Sequence, residues 1–207
     1  MQIRHDKVTC FTFREHEKRC IHKTSNKFQS RGVLMIDNNH LKGERVILRD
    51  MEEQDWRAVH AYASQSIVCQ YQPWGPNSKK ESQDFVKQVI LEAANFPRSR
   101  FVFAVMDMDR LIGAGEINIR DFTNRQGEIG YIIHPDYWAK GYATEVAKLL
   151  VEFGFSTLNL HRIFATCDPR NLGSAKVLGK IGMTYEGRIR QNLLLKDGWR
   201  DSLLFSI

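Results

Sequence analysis

Several features that mark common classes of protein are missing from this sequence of 207 residues. No apolar run approaches the roughly 18 residues that a membrane helix requires, and the N-terminus lacks the apolar centre of a secretory signal. The cysteines, Cys10, Cys20, Cys69 and Cys167, form no C-x-x-C pair, which argues against a zinc site or a disulfide framework. These absences predict a cytoplasmic protein with reduced thiols and no membrane partner.

A metal site is not predicted either. His16, Cys20 and His22 lie close to Cys10 in the sequence, but they belong to a polar segment where such residues gather by chance more often than as a ligand set. We therefore assign no metal ion to the protein.

Acidic residues are fewer than basic ones: 24 Asp and Glu against 30 Lys and Arg give a formal charge of +6. This excess favours an anionic partner, such as nucleic acid, a membrane surface or a phosphorylated cofactor, without choosing among them. Much of the excess falls within the first 31 positions. Since residues 1–40 also lack a sustained apolar period, we interpret them as a basic N-terminal extension of uncertain order, and residues 41–207 as the folded domain.

The first half of this domain predicts one strand followed by two helices. The stretch RVILR (45–49) is typical of a strand, and a helix begins near Glu52. Ser78 is a candidate N-cap for the second helix, whose apolar residues recur at helical spacing up to Pro97. The predicted buried stripe of that helix consists of Phe85, Val86, Val89, Ile90 and Ala93.

The second half begins with three β-rich runs, RFVFAVMD, RLIGAGEINI and GEIGYIIH, which predict an antiparallel meander. A helix over about 141–156 follows, then the strand RIFATCD, then a helix that Asn171 caps and that ends near Gly182. The dipeptide Asp197-Gly198 indicates a hairpin turn between the last two strands. This order brings a helix directly after the third strand of the meander.

The turn between that strand and that helix, YWAKGYATEV (137–146), has features of an anion site. Gly141 permits close approach to the main chain, and the free N–H groups of a helix N-terminus suit a pyrophosphate. No G-x-x-x-x-G-K-[ST] motif is present, and GAGEIN runs into a strand, which argues against nucleoside triphosphates and dinucleotides. Taken alone, the turn is equally consistent with an ordinary strand-to-helix connection.

Longer segments favour the anion site. EIGYIIHPDYWAKGYATEVAKLLVEFGF, HRIFATCDPRNLGSAKVLGKIGMTYEG and DGWRDSLLFSI, in this order, resemble the GNAT superfamily of acetyl-CoA-dependent N-acetyltransferases. Within it they are most similar to the RimJ/RimL-like branch of ribosomal-protein N-terminal acetyltransferases, from about Leu41 to the C-terminus. The resemblance implies an α/β (α+β) fold with a mixed, mainly antiparallel central sheet and flanking helices. Its central strands, about 127–134 and 162–167, would splay apart and admit acetyl-CoA.

The resemblance also implies which residues contact acetyl-CoA. Main-chain groups of Ile132, Ile133 and His134 would pair with the thioester arm as an added strand would. Asn171 and Ser174 would face the pantetheine and the sulfur. The pyrophosphate loop would consist of Ala139, Lys140, Gly141, Tyr142, Ala143 and Thr144.

Two positions depart from the pattern of the superfamily. Trp138 stands where Gln or Arg usually opens the pyrophosphate motif, so we expect the main-chain amides there to suffice. Leu178 replaces a tyrosine that often protonates the departing thiolate. We predict that Ser174 donates a hydrogen bond to the sulfur instead, and the alternative is a first-turn serine that binds the main chain.

Acyl transfer to an amine also requires an oxyanion donor and a base. The predicted donor is the Ile133 N–H, because an amide at the edge of a splayed strand has no other partner. Glu128 and Glu116, on neighbouring predicted strands, are candidate bases acting through water. The alternative for either glutamate is a solvated position or a structural ion pair, and His134 and His161 are interpreted as loop residues.

We therefore predict an acetyl-CoA-dependent N-acetyltransferase that transfers the acetyl group directly to a primary amine in a ternary complex. Acceptors plausible for this branch are a protein N-terminal α-amine, as on a ribosomal protein, a polyamine and an amino sugar, and the chain could form a homodimer. The alternative function is a non-catalytic module of the same fold that senses acyl-CoA or binds nucleic acid through the basic N-terminal arm. Nucleic acid is the less favoured partner.

Overall fold

The computed structural model describes residues 40–207, so all but the last residue of the basic extension, with Cys10, His16, Cys20 and His22, lies outside the described residues. The strands are β1 (Leu41–Lys42), β2 (Val46–Asp50), β3 (Arg100–Asp107), β4 (Arg110–Asp121), β5 (Gln126–Ile133), β6 (Arg162–Cys167), β7 (Thr184–Leu195) and β8 (Gly198–Ser206). The α-helices are α1 (Trp56–Ala63), α2 (Ser66–Cys69), α3 (Lys79–Ala93), α4 (Tyr142–Ser156) and α5 (Leu172–Lys180). None of these helices is long and apolar enough to cross a membrane.

The strands form one eight-stranded sheet in the order β1-β2-β3-β4-β5-β6-β8-β7. All neighbouring pairs are antiparallel except β5 and β6, which run parallel because α4 crosses over between them. The predicted mixed, mainly antiparallel sheet and the meander of β3, β4 and β5 are confirmed. The two-residue strand β1 was not predicted, because it is too short to show a period.

Helices cover both faces of the sheet. On one face, α4 packs Val146, Leu150 and Phe153 against a core that includes Ile129 and Ile133 of β5. On the other face, α1 and α3 cover a second cluster, against which Ile132 packs. Consecutive residues of β5 therefore alternate between the faces, as the strand period predicts.

Strands β5 and β6 pair only at their beginning. The register runs from Gln126 opposite Arg162 to Glu128 opposite Phe164, and no further pair joins the two strands. Beyond this point β6 continues along β8, up to Cys167 opposite Leu203. The predicted splaying of the central strands is therefore confirmed, and it leaves a wedge-shaped gap between the C-terminal halves of β5 and β6.

Short sequence motifs predict the starts of two helices and the position of the hairpin turn correctly. Ser78 accepts a hydrogen bond from the Glu81 N–H and caps α3 as predicted, and Asn171 caps α5 in the same way. Gly198 adopts φ +118° at the predicted hairpin turn. Ile90 departs from its prediction: it is 36% exposed, because the buried stripe of α3 is narrower than its apolar pattern indicates.

Candidate active site

The β5 edge of the gap presents main-chain groups from alternate residues. The His134 N–H donates to the carbonyl of Ile112, a residue of β4, at 2.7 Å, so this N–H points towards β4 and away from the gap. Along an antiparallel strand, the main-chain N–H and C=O groups of successive residues point alternately to one side and the other. Ile132 therefore directs its N–H and C=O towards β4, as His134 directs its N–H. Tyr131 and Ile133 direct theirs towards the gap. The gap therefore has free strand-edge groups along its β5 side.

These directions reduce the number of main-chain groups on β5 that could contact an acyl arm in the gap. The C=O of His134 accepts from the Tyr137 N–H, so neither main-chain group of His134 faces the gap, and Ile132 is likewise engaged with β4. The Ile133 carbonyl accepts the indole N–H of Trp138 at 2.6 Å. What remains at the gap is the N–H of Ile133, the predicted oxyanion donor, together with the main chain of Tyr131.

Helix α4 begins without a side-chain cap. Its N-cap is Gly141, at φ +88°, and within the described residues no side chain accepts from the first-turn amides. Helices α3 and α5 differ in this respect, since Ser78 and Asn171 cap them. Because the first N–H groups of a helix lack intrahelical acceptors, the start of α4 can bind an anion at the mouth of the gap.

The predicted pyrophosphate loop surrounds this helix start. Its first residue, Ala139, has φ +60°, and together with Gly141 it turns the chain sharply between Trp138 and the first turn of α4. The Lys140 ammonium donates to the Asp136 carbonyl within the same turn. The remaining loop residues, Tyr142, Ala143 and Thr144, form the first turn of α4.

One residue beside this loop has no counterpart in the sequence-based prediction. Arg45, in the turn between β1 and β2, donates from Nη1 to the Lys140 carbonyl at 2.9 Å and pairs with Glu145 at 3.0 Å. Its guanidinium carbon lies 4.6 Å from the ring centroid of Tyr142. The available signal was Glu145 itself, an acidic residue in the first turn of a helix that was expected to bind an anion.

Ser174 lies where the β6 side of the gap meets α5. Its N–H donates to Oδ1 of Asn171 at 3.0 Å, so the asparagine oxygen serves the helix cap. The Ser174 hydroxyl lies 3.1 Å from the hydroxyl of Tyr131, which reaches across from β5. Burial raises the pKa of Tyr131 to about 12, so this phenol keeps its proton to a higher pH than an exposed tyrosine does.

Both candidate bases are held in ion pairs. Glu128, at the end of the β5–β6 pairing, accepts from Arg120 at 2.7 Å and from the Thr166 hydroxyl at 3.4 Å. Glu116, on β4, accepts from Nη2 of Arg100 at 2.9 Å. The structural ion pair that the sequence left open is therefore present at both glutamates, and a catalytic role for either stays a prediction.

The histidines have local partners. Nδ1 of His134 accepts from the Asp136 N–H at 3.2 Å, and Nε2 lies 3.3 Å from the side-chain amide nitrogen of Gln65. His161 is exposed before β6, where its N–H donates to the Arg125 carbonyl. Residues 40–207 contain no cluster of three or more His, Cys, Asp or Glu side chains that could hold a metal ion.

The gap and the uncapped helix start together define a class of site. A strand edge with unpaired amides accepts an extended arm, and the adjoining helix N-terminus accepts a diphosphate. Both parts suit the acyl arm and the diphosphate of acetyl-CoA, so the residues present fit this ligand. The fold and the site are those of an acyl-CoA-dependent acyltransferase.

Comparison with known proteins gives the family. The model of the acetyltransferase (GNAT) domain matches residues 45–184. The uncharacterized N-acetyltransferase YnaD of Bacillus subtilis is 36% identical over 81% of this chain and 96% of its own length. The chain therefore belongs to the GNAT family of N-acetyltransferases, as the sequence motifs predict.

Two further relatives extend this comparison. The crystal structure of an acetyltransferase (GNAT family) from Bacillus anthracis has a TM-score of 0.71 and 34% identity, covering 81% of this chain and 97% of its own. The spermidine N(1)-acetyltransferase of Escherichia coli is 28% identical over 78% of this chain and 85% of its own length. Relatives therefore match nearly all of the described part of the chain.

Proposed function

We propose that the protein transfers an acetyl group from acetyl-CoA directly to a primary amine, without an acetylated enzyme intermediate. The observation that carries the proposal is the parting of β5 and β6 after the Glu128–Phe164 pair, beside an uncapped helix start. A covalent route through cysteine is disfavoured because burial raises the pKa of the thiols of Cys69 and Cys167. Acetyl-CoA, when bound, supplies the acetyl group as a thioester.

The roles of the chain's own groups follow from their positions. The Ile133 N–H donates to the oxyanion that develops when the amine nitrogen attacks the acyl carbon, since this amide faces the gap. The Ser174 hydroxyl donates a hydrogen bond to the sulfur as the carbon–sulfur bond breaks, which stabilises the developing thiolate. Tyr131 hydrogen-bonds to that hydroxyl and orients it. Glu128 or Glu116 receives, through water, the proton that the amine nitrogen loses and passes it to solvent, and the departing CoA thiolate takes a proton from solvent.

The charges around the gap favour an acceptor with few positive charges. Glu128 is paired with Arg120, and Glu116 with Arg100, which also pairs with Glu92, so a second ammonium group of a polyamine would have to compete with an arginine for either carboxylate. Relatives with both kinds of acceptor exist. One acts on spermidine, and another is the [ribosomal protein uS5]-alanine N-acetyltransferase of Escherichia coli, 26% identical over 81% of this chain and 89% of its own length. We place a protein N-terminal α-amine first and a polyamine second.

The test is acetyl-CoA consumption by the full chain in the presence of peptides with free N-termini, spermidine and an amino sugar. We expect turnover with a peptide α-amine and much less with spermidine, and mass spectrometry should find the acetyl group on the peptide. If acetyl-CoA binds but none of these amines is acetylated, the result favours the alternative of an acyl-CoA sensor. If acetyl-CoA does not bind, the proposal is wrong.

A further inference from the structure

Arg45 connects the β1–β2 turn to the helix start that is proposed to hold the CoA diphosphate. Three kinds of contact involve it: a hydrogen bond from Nη1 to the Lys140 carbonyl, an ion pair with Glu145, and a stacked position over Tyr142. The main chain contributes as well, because the N–H groups of Arg45 and Val46 donate to Oε1 of Glu145 at 2.7 and 3.1 Å. Arg45 is thus fixed at both its main chain and its side chain.

The contact with Lys140 sets the direction of an amide. The peptide between Lys140 and Gly141 is trans, since the cis peptides of the described chain are Gly75-Pro76 and Phe96-Pro97. In a planar trans peptide the C=O and the N–H point in opposite directions. By holding the Lys140 carbonyl, Arg45 directs the Gly141 N–H away from itself. Gly141 accommodates this arrangement because it has no Cβ, and a Cβ at this position would lie only 3.2 Å from Nη2 of Arg45.

The contact with Glu145 removes a conflict of charge. A carboxylate in the first turn of α4 stabilises an empty helix N-terminus but repels a diphosphate at the same place. Burial opposes ionisation of Glu145, yet hydrogen bonds from the main chain of Arg45 and Val46 and from the Arg45 guanidinium lower its pKa overall. Arg45 therefore holds an ionised Glu145 against the β1–β2 turn and balances its charge.

We propose that Arg45 is a positioning residue of the CoA diphosphate site, which fixes the Lys140–Gly141 peptide for binding and neutralises Glu145. This inference rests on the proposed function, because it takes CoA as the ligand. It adds a residue outside the predicted pyrophosphate loop, about a hundred positions earlier in the chain. Arg45 acts through the loop and does not touch the reacting atoms.

The test is the dissociation constant of CoA measured by titration calorimetry with wild type, Arg45→Met and Arg45→Lys. We expect about tenfold weaker binding for Arg45→Met. Arg45→Lys should restore little of the lost CoA affinity, because an ammonium cannot reach the Lys140 carbonyl and both Glu145 oxygens in the same fork-like geometry. Arg188→Met is the matched control, since Arg188 is an exposed arginine paired with Asp201 at 2.6 Å, far along the sheet on β7. Its CoA affinity should equal that of wild type.

The double variant Arg45→Met/Glu145→Gln separates the two contributions. If neutralising Glu145 were the whole effect, the double variant would bind CoA as wild type does; we expect it to stay several-fold weaker. Wild-type affinity in Arg45→Met would overturn the inference and leave the proposed function standing, whereas failure of the wild-type chain to bind CoA would overturn both.

Discussion

At the scale of single residues, the pair formed by Ser174 and Tyr131 is the part of the site that sequence reasoning only half anticipated. The sequence predicts that Ser174 donates a hydrogen bond to the sulfur, because Leu178 occupies the position of the usual tyrosine, and Leu178 is fully buried in the core. Tyr131 of β5 is the other member of the pair. Its hydroxyl meets Ser174 because β5 and α5 face each other across the gap, and this is a tertiary relation that no local pattern encodes.

Replacing Ser174 with alanine tests the hydrogen bond to the sulfur directly. Loss of one hydrogen-bond donor to charge that develops in the transition state commonly lowers turnover by about a hundredfold or more, and we expect kcat of Ser174→Ala to fall by roughly that factor. CoA affinity and the melting temperature should change little, because the Ser174 N–H still bonds to Asn171. Ser174→Thr is the control that keeps the hydroxyl. A kcat in Ser174→Ala close to that of wild type would show that Ser174 is only a first-turn residue.

The raised pKa of Tyr131 predicts a loss of stability at alkaline pH. Below about pH 10 the phenol is protonated in both the folded and the unfolded chain, so its contribution is fully present. Between about pH 10 and 12 the unfolded chain loses this proton while the folded chain keeps it, so the free energy of unfolding falls as the pH rises. Urea unfolding at pH 9 and 11 should show about 1 kcal/mol less decline in Tyr131→Phe than in wild type. An equal decline in the two proteins would contradict this assignment.

At the scale of secondary structure, the three longer helices around the sheet begin in different ways. Side chains cap α3 and α5, and each cap accepts a hydrogen bond from one first-turn N–H. Helix α4 begins at a glycine, and its amides remain for a ligand. The sequence predicted the caps at Ser78 and Asn171 and the glycine at 141, because capping depends on residues close together in the chain.

Loss of a cap should affect stability alone in α3. Ser78→Ala removes the hydrogen bond to the Glu81 N–H and should lower the free energy of unfolding by about 1 kcal/mol. The CoA dissociation constant should not change, since α3 covers the opposite face of the sheet from α4. Denaturant unfolding and calorimetry on the same variant measure both quantities. Weaker CoA binding in Ser78→Ala would mean that α3 contributes to the site.

Gly141→Ala should affect both the free energy of unfolding and the affinity for CoA. The left-handed backbone at φ +88° costs a non-glycine residue about 1 kcal/mol, and the new Cβ would contact the Arg45 guanidinium. We therefore expect a loss of about 1 kcal/mol in unfolding free energy together with CoA binding weakened by tenfold or more. Gly198→Ala is a matched control, because Gly198 also has a positive φ, at the β7–β8 turn away from α4. CoA affinity that falls equally in both variants would contradict a specific role for Gly141.

At the scale of the whole molecule, the order of elements and the family could be predicted, but the register could not. The segment EIGYIIHPDYWAKGYATEVAKLLVEFGF carries the strand, the turn and the helix without interruption, so their local arrangement can be predicted from the sequence. Which main-chain groups face the gap depends on how β4 and β5 pair, and of the predicted residues Ile132, Ile133 and His134 this pairing leaves only Ile133 with its N–H towards the gap. Arg45 could not be predicted for the same reason, because it contacts Lys140 and Glu145 only in the folded chain.

The central claim is that the gap between β5 and β6, with the start of α4, is where CoA binds. Amide hydrogen exchange of the full chain, measured by mass spectrometry with and without saturating CoA, tests it most directly. We expect the largest slowing on peptides covering residues 129–144 and no change in peptides from α3. Saturated binding with the strongest protection elsewhere, and none over residues 129–144, would contradict it.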